Sequence, residues 1–168
     1  MAGNHLENLV AEWFEYQGFF VRQNVLVGPR PNGGYEGELD VVAFHPGRRE
    51  LVHIEPSLDA DTWKRREERY SRKFELGRRH IPRLFDGLPV PEEIDQIALL
   101  VFASKTNHAS LGGGRIMLVD ELLEEILRAL RTKSVARAAV PEHLPNLRTL
   151  QFVASYPDAM VRGLGGEK

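Results

Sequence analysis

The sequence has no cysteine and no long apolar run, and each absence excludes a class of protein. A chain without cysteine can form neither disulfide bonds nor a cysteine-ligated zinc site, which suits a reducing compartment. No apolar run approaches the ~20 residues that a membrane-spanning helix needs. The first residues also lack the basic-then-apolar pattern of a signal peptide. We therefore expect a soluble cytoplasmic protein with no membrane partner.

Common catalytic motifs are absent as well. The chain contains no Gly-x-Ser-x-Gly nucleophile motif, no P-loop and no Gly-x-Gly-x-x-Gly motif. Its six histidines show no His-x-x-x-His spacing of the kind that holds zinc on a helix. These absences leave little support for a small-molecule hydrolase or transferase.

The chain's 168 residues are enough to bury one hydrophobic core without disulfide bonds or a structural metal, so we expect a single domain. Within it we expect a core at about 3–131, a C-terminal extension at 132–168 and a frayed tail at 163–168. The alternation of strand and helix patterns predicts an α/β fold, with a central mixed sheet flanked by helices. Periodicity predicts helices at 4–17, 59–80 and 120–131, strands at 19–27, 38–44, 50–54, 96–103 and 116–119, and a late edge strand at 147–155.

Two of these strands carry the most informative residues. The segment 45–49 is typical of a turn, so strand 38–44 should pair antiparallel with the next strand and bring Asp40 beside Glu55. Two close carboxylates repel each other unless a cation lies between them, and hard oxygen ligands favour Mg²⁺ or Mn²⁺. The pair therefore predicts a metal site for phosphodiester chemistry. The alternative is that both acids lie at strand ends because they are solvated there.

Two neighbours of Glu55 bear on this site. Pro56 cannot donate to a sheet ladder, so we expect the second strand to stop or bend there. His53 lies two residues before Glu55 and therefore on the same face of the strand. A hydrogen-bonded structural histidine is the commoner role for such a residue, and a metal or acid–base role is the alternative.

In this order, the acidic residues resemble the core of the PD-(D/E)XK nuclease superfamily, which includes many restriction endonucleases and archaeal Holliday-junction resolvases. Its usual form is an acidic residue on a first helix, an Asp on a strand and Glu-x-Lys on the next strand. Asp40 and Glu55 match the two strand positions, and Glu7 matches the acid of the opening helix. The resemblance covers about residues 3–127 and implies a restriction-endonuclease-like fold with Mg²⁺ or Mn²⁺ as cofactor. The implied metal ligands are Asp40, Glu55, Glu7 and Glu38, the last in a Gly-Glu-Leu-Asp segment similar to one in bacterial members.

One position departs from the family pattern. Where the family has its lysine, this chain has Ser57, which can donate a hydrogen bond but carries no charge. The lysine normally orients the attacking water and stabilises developing negative charge. Some members supply the cation from a neighbouring helix, and the helix predicted at 59–80 offers Lys73 and Lys64. Lys73 is favoured because it flanks the stripe of residues at helical spacing, including Tyr70 and Phe74, that we expect to be buried. The implied catalytic residues are Glu7, Asp40, Glu55, Lys73, Lys64 and Ser57.

The same predicted helix is strongly basic. From Lys64 to Arg83 there are nine Lys or Arg residues against three Glu, although the net charge of the chain is only −2. A basic segment beside an acidic pocket fits a protein that grips phosphates near bound metal. A solvated helix face with i,i+4 ion pairs is the alternative. The candidate nucleic-acid-binding residues are Arg65, Arg66, Arg69, Arg72, Arg78 and Arg79.

We therefore expect a metal-dependent endonuclease that hydrolyses the phosphodiester bonds of nucleic acid, with DNA favoured. The alternative is a catalytically inactive nucleic-acid-binding or assembly module on the same fold, which Ser57 and Pro56 favour. Members of the family often dimerise to cut two strands, so the resemblance also implies a homodimer.

Overall fold

The computed structural model describes residues 4–165, in which five helices and six strands form. The chain divides into two compact units, the first ending at Val119 and the second beginning at Asp120. This division falls before the extension that the sequence predicted from 132. The helices are α1 (His5–Tyr16), α2 (Trp63–Leu84), α3 (Val119–Leu130), α4 (Pro145–Ser155) and α5 (Pro157–Gly163). The strands are β1 (Phe20–Pro29), β2 (Tyr35–His45), β3 (Glu50–Ser57), β4 (Asp95–Leu100), β5 (Ser110–Leu111) and β6 (Gly114–Leu118).

The first unit is built on one mixed sheet with strand order β1-β2-β3-β4-β6-β5. Strands β1, β2 and β3 form an antiparallel meander. Strand β3 then pairs parallel with β4, and β4 pairs parallel with β6. Helix α2 makes the crossover between β3 and β4 that a parallel pair requires. The predicted α/β class with a central mixed sheet is confirmed.

The register between β2 and β3 places the two predicted acids together. Val42 lies opposite His53, and Val41 lies opposite Ile54. One further step along the same register brings Asp40 opposite Glu55. Because side chains alternate between the faces of a strand, Asp40, His53 and Glu55 lie on one face of the sheet. The predicted antiparallel pairing of these strands is confirmed.

Helix α2 covers that face of the sheet. Its side chains Tyr70 and Phe74 pack with Ala98, Leu100 and other core residues beyond the site. Nearer its C-terminus, Leu76 and Ile81 of α2 belong to a second buried cluster, which includes Phe44 of the facing strand β2. The helix is therefore anchored by apolar packing at both ends, which fixes the direction of the charged side chains between them.

The termini of α1 follow the prediction closely. Asn4 is the N-cap, and its side chain accepts a hydrogen bond from the Glu7 backbone. The Glu7 carboxylate in turn accepts from the Asn4 backbone N–H, which completes a capping box. Gly18 follows the helix with φ of 91°, a left-handed conformation that glycine adopts without a steric penalty.

Several predicted boundaries are wrong, among them the end of the strand predicted at 96–103, which stops at Leu100. Helix α2 begins at Trp63, with Thr62 as N-cap, and continues to Leu84 through Pro82, because Ile81 and Phe85 are held in the core on either side of the proline. Strand β3 continues through Pro56 to Ser57. Its pairing with β2 ends at Ile54, and a strand paired on one side tolerates proline.

The predicted late strand at 147–155 is also wrong, because this segment forms most of α4. Pro145 stands in the first turn of α4, where its missing N–H has no intrahelical partner to lose. Leu147 and Gln151, four residues apart, are both buried, which is helical spacing.

None of the helices in residues 4–165 combines the length and apolarity that a membrane span requires.

Candidate functional site

Asp40 and Glu55 lie side by side on neighbouring strands, and Lys73 of α2 meets both. Lys73 Nζ is 2.7 Å from Asp40 Oδ1 and 2.7 Å from Glu55 Oε2. The Asp40 backbone N–H donates to Glu55 Oε1 at 3.1 Å. A single ammonium group therefore bridges two carboxylates that would otherwise repel each other. We call Asp40, Glu55 and Lys73 the carboxylate site.

The three groups shift one another's protonation. Burial and the negative charge of Glu55 raise the pKa of Asp40 to about 8. Burial also acts to raise the pKa of Glu55, but its contacts with His53 and Lys73 outweigh burial and lower that pKa to about 2. Burial acts to lower the pKa of Lys73, but Glu55 and Asp40 raise it overall. Glu55 therefore carries the stable negative charge, and Asp40 is the group that a second cation would ionise.

Glu55 is held by a chain of hydrogen bonds inside the core. Gln96 Oε1 accepts from Arg78 Nη1 at 2.7 Å, and Gln96 Nε2 donates to the Phe74 carbonyl at 2.8 Å. These two contacts fix the orientation of the Gln96 amide, so its Nε2 also donates to His53 Nδ1 at 3.2 Å. His53 Nε2 then carries the proton and donates to Glu55 Oε1 at 2.7 Å. His53 thus fixes the direction of the Glu55 carboxylate.

Gly77 makes room for this histidine. An added methyl group at Gly77 would lie 2.4 Å from His53 Nδ1 and 3.0 Å from Gln96 Nε2. Overpacking a core usually costs roughly 1–3 kcal/mol, and the better helix propensity of alanine offsets about 1 kcal/mol of that cost. Gly77→Ala is therefore expected to lose up to about 2 kcal/mol of stability. Denaturant unfolding measures the difference.

The control is Gly163→Ala, also at a helical glycine. A methyl group there meets no heavy atom of the described residues within 4 Å, so the variant should lose no stability. A Gly77→Ala protein as stable as the wild type would contradict the packing of His53 against α2.

Ser57, which stands where the resemblance would place a lysine, is paired with Arg69 of α2. Ser57 is buried, and its Oγ accepts from Arg69 Nη2 at 2.9 Å. Arg69 also pairs with Asp59 at 2.5 Å. Arg69 and Lys73 are four residues apart on α2, so both cations extend from one helix face. A cavity of about 170 Å³ lies between them, lined by Asp40, Glu55, Pro56, Ser57, Asp59, Arg69, Tyr70 and Lys73.

A second, larger cavity of about 550 Å³ is a basic groove beside the carboxylate site. Arg69 and Lys73 line both cavities, so the groove opens directly beside the two acids. Arg65 and Arg72 are exposed along it. The groove is lined by Gly37, Glu38, Arg65, Glu68, Arg69, Arg72, Lys73 and Leu76.

Three candidates from the sequence lie outside the carboxylate cavity. Glu7 does not line it, because its carboxylate is engaged by Asn4 at the start of α1. Glu38 lines the basic groove instead. Lys64 is exposed in the first turn of α2 and lines neither cavity. Within residues 4–165, no three histidine, aspartate or glutamate side chains converge as a metal-holding group.

Three of the candidate nucleic-acid-binding arginines are occupied within the protein. Arg66 is buried, and its guanidinium donates to the carbonyls of Asp59 and Phe102. Arg78 is bonded to Gln96, and Arg79 pairs with Glu36 and Glu75. The three arginines that line the groove are Arg65, Arg69 and Arg72. They also have partners, since Arg69 is held by Asp59 and Ser57. Arg65 forms a 3.9 Å ion pair with Asp61, and Arg72 a 3.5 Å hydrogen bond to the Glu36 carbonyl.

Sequence reasoning missed Gln96 and Tyr70. Tyr70 donates its hydroxyl to the Glu55 carbonyl at 3.0 Å, and Gln96 orients His53. The only signal available was that Tyr70 falls on the buried stripe of a helix and Gln96 opens a buried strand. Neither pattern indicates a partner, because both contacts cross between distant segments of the chain.

No family model and no curated protein matches the chain. Among solved structures, the chain is similar to AF1548, a protein of unknown function. The two share 17% identity over 94% of this chain and 97% of that chain, with a TM-score of 0.46. The chemistry of the site is therefore inferred from its own geometry.

Proposed function

We propose that this protein is a metal-dependent nuclease of restriction-endonuclease-like fold that hydrolyses phosphodiester bonds, with DNA as the favoured substrate. The observation that carries the proposal is the carboxylate site, in which Lys73 Nζ lies 2.7 Å from an oxygen of Asp40 and of Glu55 on adjacent strands. This set provides two carboxylate ligands and one cation within a few ångströms. The order of α1, the Asp40 strand and the Glu55 strand also agrees with the PD-(D/E)XK resemblance.

The donor chemistry of the site fits Mg²⁺ or Mn²⁺. Both ligands would be carboxylates, which hard divalent cations prefer. Two protein carboxylates are enough for Mg²⁺, which usually keeps several waters and takes further ligands from substrate phosphates. The raised pKa of Asp40, about 8, marks a carboxylate whose charge lacks full compensation. When bound, the ion would lower the pKa of its water and polarise the scissile phosphate.

The remaining residues of the site have separate roles in this proposal. Lys73 supplies the positive charge that Ser57 lacks, and extends its ammonium toward the phosphate from α2 instead of β3. His53 keeps Glu55 in one orientation through its hydrogen bond of 2.7 Å. Arg65, Arg69 and Arg72 bind phosphates along the basic groove, where arginine can form paired hydrogen bonds.

A cleavage assay tests the proposal. The full chain is incubated with single-stranded, duplex and branched DNA, and with RNA, in Mg²⁺ or Mn²⁺. Cleavage that stops when EDTA is added supports a metal-dependent nuclease. If none of these nucleic acids is cut, the nuclease proposal is wrong.

The second candidate function is a catalytically inactive nucleic-acid-binding module. It is favoured by the contacts within the site, because Lys73 already pairs with both acids and Arg69 already donates a hydrogen bond to Ser57. In that case the basic groove would bind nucleic acid with strong salt dependence. Mn²⁺ would then neither change the affinity nor cause cleavage of the bound strand.

The affinity for Mn²⁺ is expected to rise with pH up to about 8. A metal binds the ionised carboxylate, and the pKa of Asp40 is raised to about 8, so binding below that pH releases a proton. Affinity should then increase about tenfold for each pH unit and level off above the Asp40 pKa. Calorimetry in buffers of different ionisation enthalpy measures both affinity and proton release. An affinity that is constant below pH 8 would exclude Asp40 as a ligand.

A further inference from the structure

A separate cavity of about 240 Å³ lies at the start of α2. Its volume is far larger than the ~30 Å³ share of one water molecule. The cavity is lined by Ala60, Asp61, Trp63, Arg66, Phe102, Ala103, Ser104, Thr106, Asn107 and His108. We call it the aromatic cavity.

The lining combines flat aromatic rings with short polar side chains. The rings of Trp63 and His108 are stacked, with centroids 3.8 Å apart and an interplanar angle of 22°. Phe102 is 61% exposed, so its ring is accessible from solvent. Asn107 adds an amide that can both donate and accept hydrogen bonds. Aromatic faces with nearby hydrogen-bonding groups are the chemistry that recognises an unstacked nucleobase.

Arg66 ties the aromatic cavity to the carboxylate site. Its guanidinium lies 5.3 Å from the Trp63 ring centroid and donates to the carbonyls of Asp59 and Phe102. Asp59 lines the carboxylate cavity and Arg66 lines the aromatic cavity, so the hydrogen bond from Arg66 to the Asp59 carbonyl joins the linings of the two cavities. Arg66 Nε is buried and has no hydrogen-bond partner among the described residues. The guanidinium thus keeps a donor beside the aromatic rings.

We propose that the aromatic cavity binds one unpaired nucleobase of the strand that is bound at the carboxylate site, an inference that rests on the proposed function. Trp63 precedes Lys73 by ten residues on α2, which is about 15 Å along the helix axis. A stacked strand covers that distance in about four nucleotides. The substrate would therefore have single-stranded character within a few nucleotides of the cleaved phosphate.

The experiment uses short DNA oligonucleotides that contain one 2-aminopurine, whose fluorescence falls when the base stacks on an aromatic ring. The full chain is titrated with a single strand and with a fully paired duplex, in EDTA so that no cleavage occurs. We expect quenching with the single strand and little with the duplex. His108→Ala and Phe102→Ala should each weaken single-strand binding by about 5-fold to 150-fold, the usual effect of losing one base-stacking side chain.

The matched control is Phe20→Ala, because Phe20 is also 61% exposed but lies outside the cavity. It should bind as the wild type does. The proposal is overturned if both cavity variants bind as tightly as Phe20→Ala, or if the duplex quenches as strongly as the single strand. Cleavage separates this result from the proposed function. Cavity-dependent quenching without any metal-dependent cleavage keeps the base site and rejects the nuclease, while cleavage with cavity-independent binding does the reverse.

Discussion

Replacing Lys73 with alanine is expected to slow phosphodiester cleavage by about 10²–10³-fold, the usual effect of removing one group that stabilises transition-state charge. Lys73 Nζ lies 2.7 Å from both Asp40 and Glu55, so it is already held where a scissile phosphate would meet the two acids. No other lysine among residues 4–165 lines the carboxylate cavity, and position 57 is a serine. Single-turnover cleavage with saturating Mn²⁺ measures the loss.

The same variant should bind Mn²⁺ as tightly as the wild type or more tightly. The Lys73 ammonium and the metal ion are attracted to the same carboxylate oxygens, so removing the ammonium removes a competitor. Without metal, the variant should be less stable, because Asp40 and Glu55 lose their shared cation. Added Mn²⁺ should therefore raise the unfolding temperature of the variant more than that of the wild type.

Lys64→Ala is the matched control for this prediction. Lys64 is a lysine of the same helix, but it is exposed and lines neither the carboxylate cavity nor the basic groove. Its loss should leave the cleavage rate unchanged. If Lys73→Ala cleaves as fast as Lys64→Ala, Lys73 does not supply the positive charge that position 57 lacks.

Asp40→Ala should abolish detectable Mn²⁺ binding. Asp40 is one of two carboxylates at the site, and no third acidic or histidine side chain among residues 4–165 completes a metal-holding group with them. A single carboxylate provides too little charge to dehydrate the ion and hold it. Calorimetry with Mn²⁺ measures the loss, and cleavage should be lost with it.

This variant is not expected to be less stable than the wild type. The pKa of Asp40 is about 8 in the folded protein against an ordinary value of 3.8. A raised pKa means that folding favours the protonated form, so the stabilisation present below pH 3.8 is lost as pH rises through about 8. At about pH 8, ionised Asp40 makes the folded state less stable, and the alanine variant removes this unfavourable contribution. Thermal unfolding should therefore show an equal or higher midpoint.

The control for Asp40→Ala is Glu7→Ala. The family resemblance made Glu7 a metal ligand, but its carboxylate accepts hydrogen bonds from Asn4. Glu7→Ala should retain Mn²⁺ affinity and lose about 1 kcal/mol of stability, as expected when a helix cap is weakened. Loss of Mn²⁺ binding in Glu7→Ala would restore it to the metal site.

Several features of the fold and site were predictable from local pattern. The turn at 45–49 and the apolar strands around it predicted the antiparallel pair that brings Asp40 beside Glu55. Helical spacing predicted that Tyr70 and Phe74 would be buried, and Lys73 beside them. Such patterns are local, because a strand alternates every two residues and a helix repeats every 3.6.

Other features depended on contacts between distant segments. Pro56 and Pro82 are both local breakers, yet β3 and α2 continue through them because sheet pairing and core packing outweigh the local preference. The segment 147–155 contains strand-compatible residues, but Leu147 and Gln151 are buried at helical spacing. Local propensity is a weak determinant wherever tertiary packing opposes it.

The sequence by itself determined the order of the longer elements from α1 to α3 and the pairing of the two strands that carry Asp40 and Glu55. Only the tertiary structure decided which cation faces them, that His53 is oriented by Gln96, and that Glu7 belongs to a helix cap. The physical reason is that side-chain direction across an interface depends on how a helix is rotated and placed against the sheet. That placement is set by many apolar contacts acting together, and no short stretch of sequence contains them.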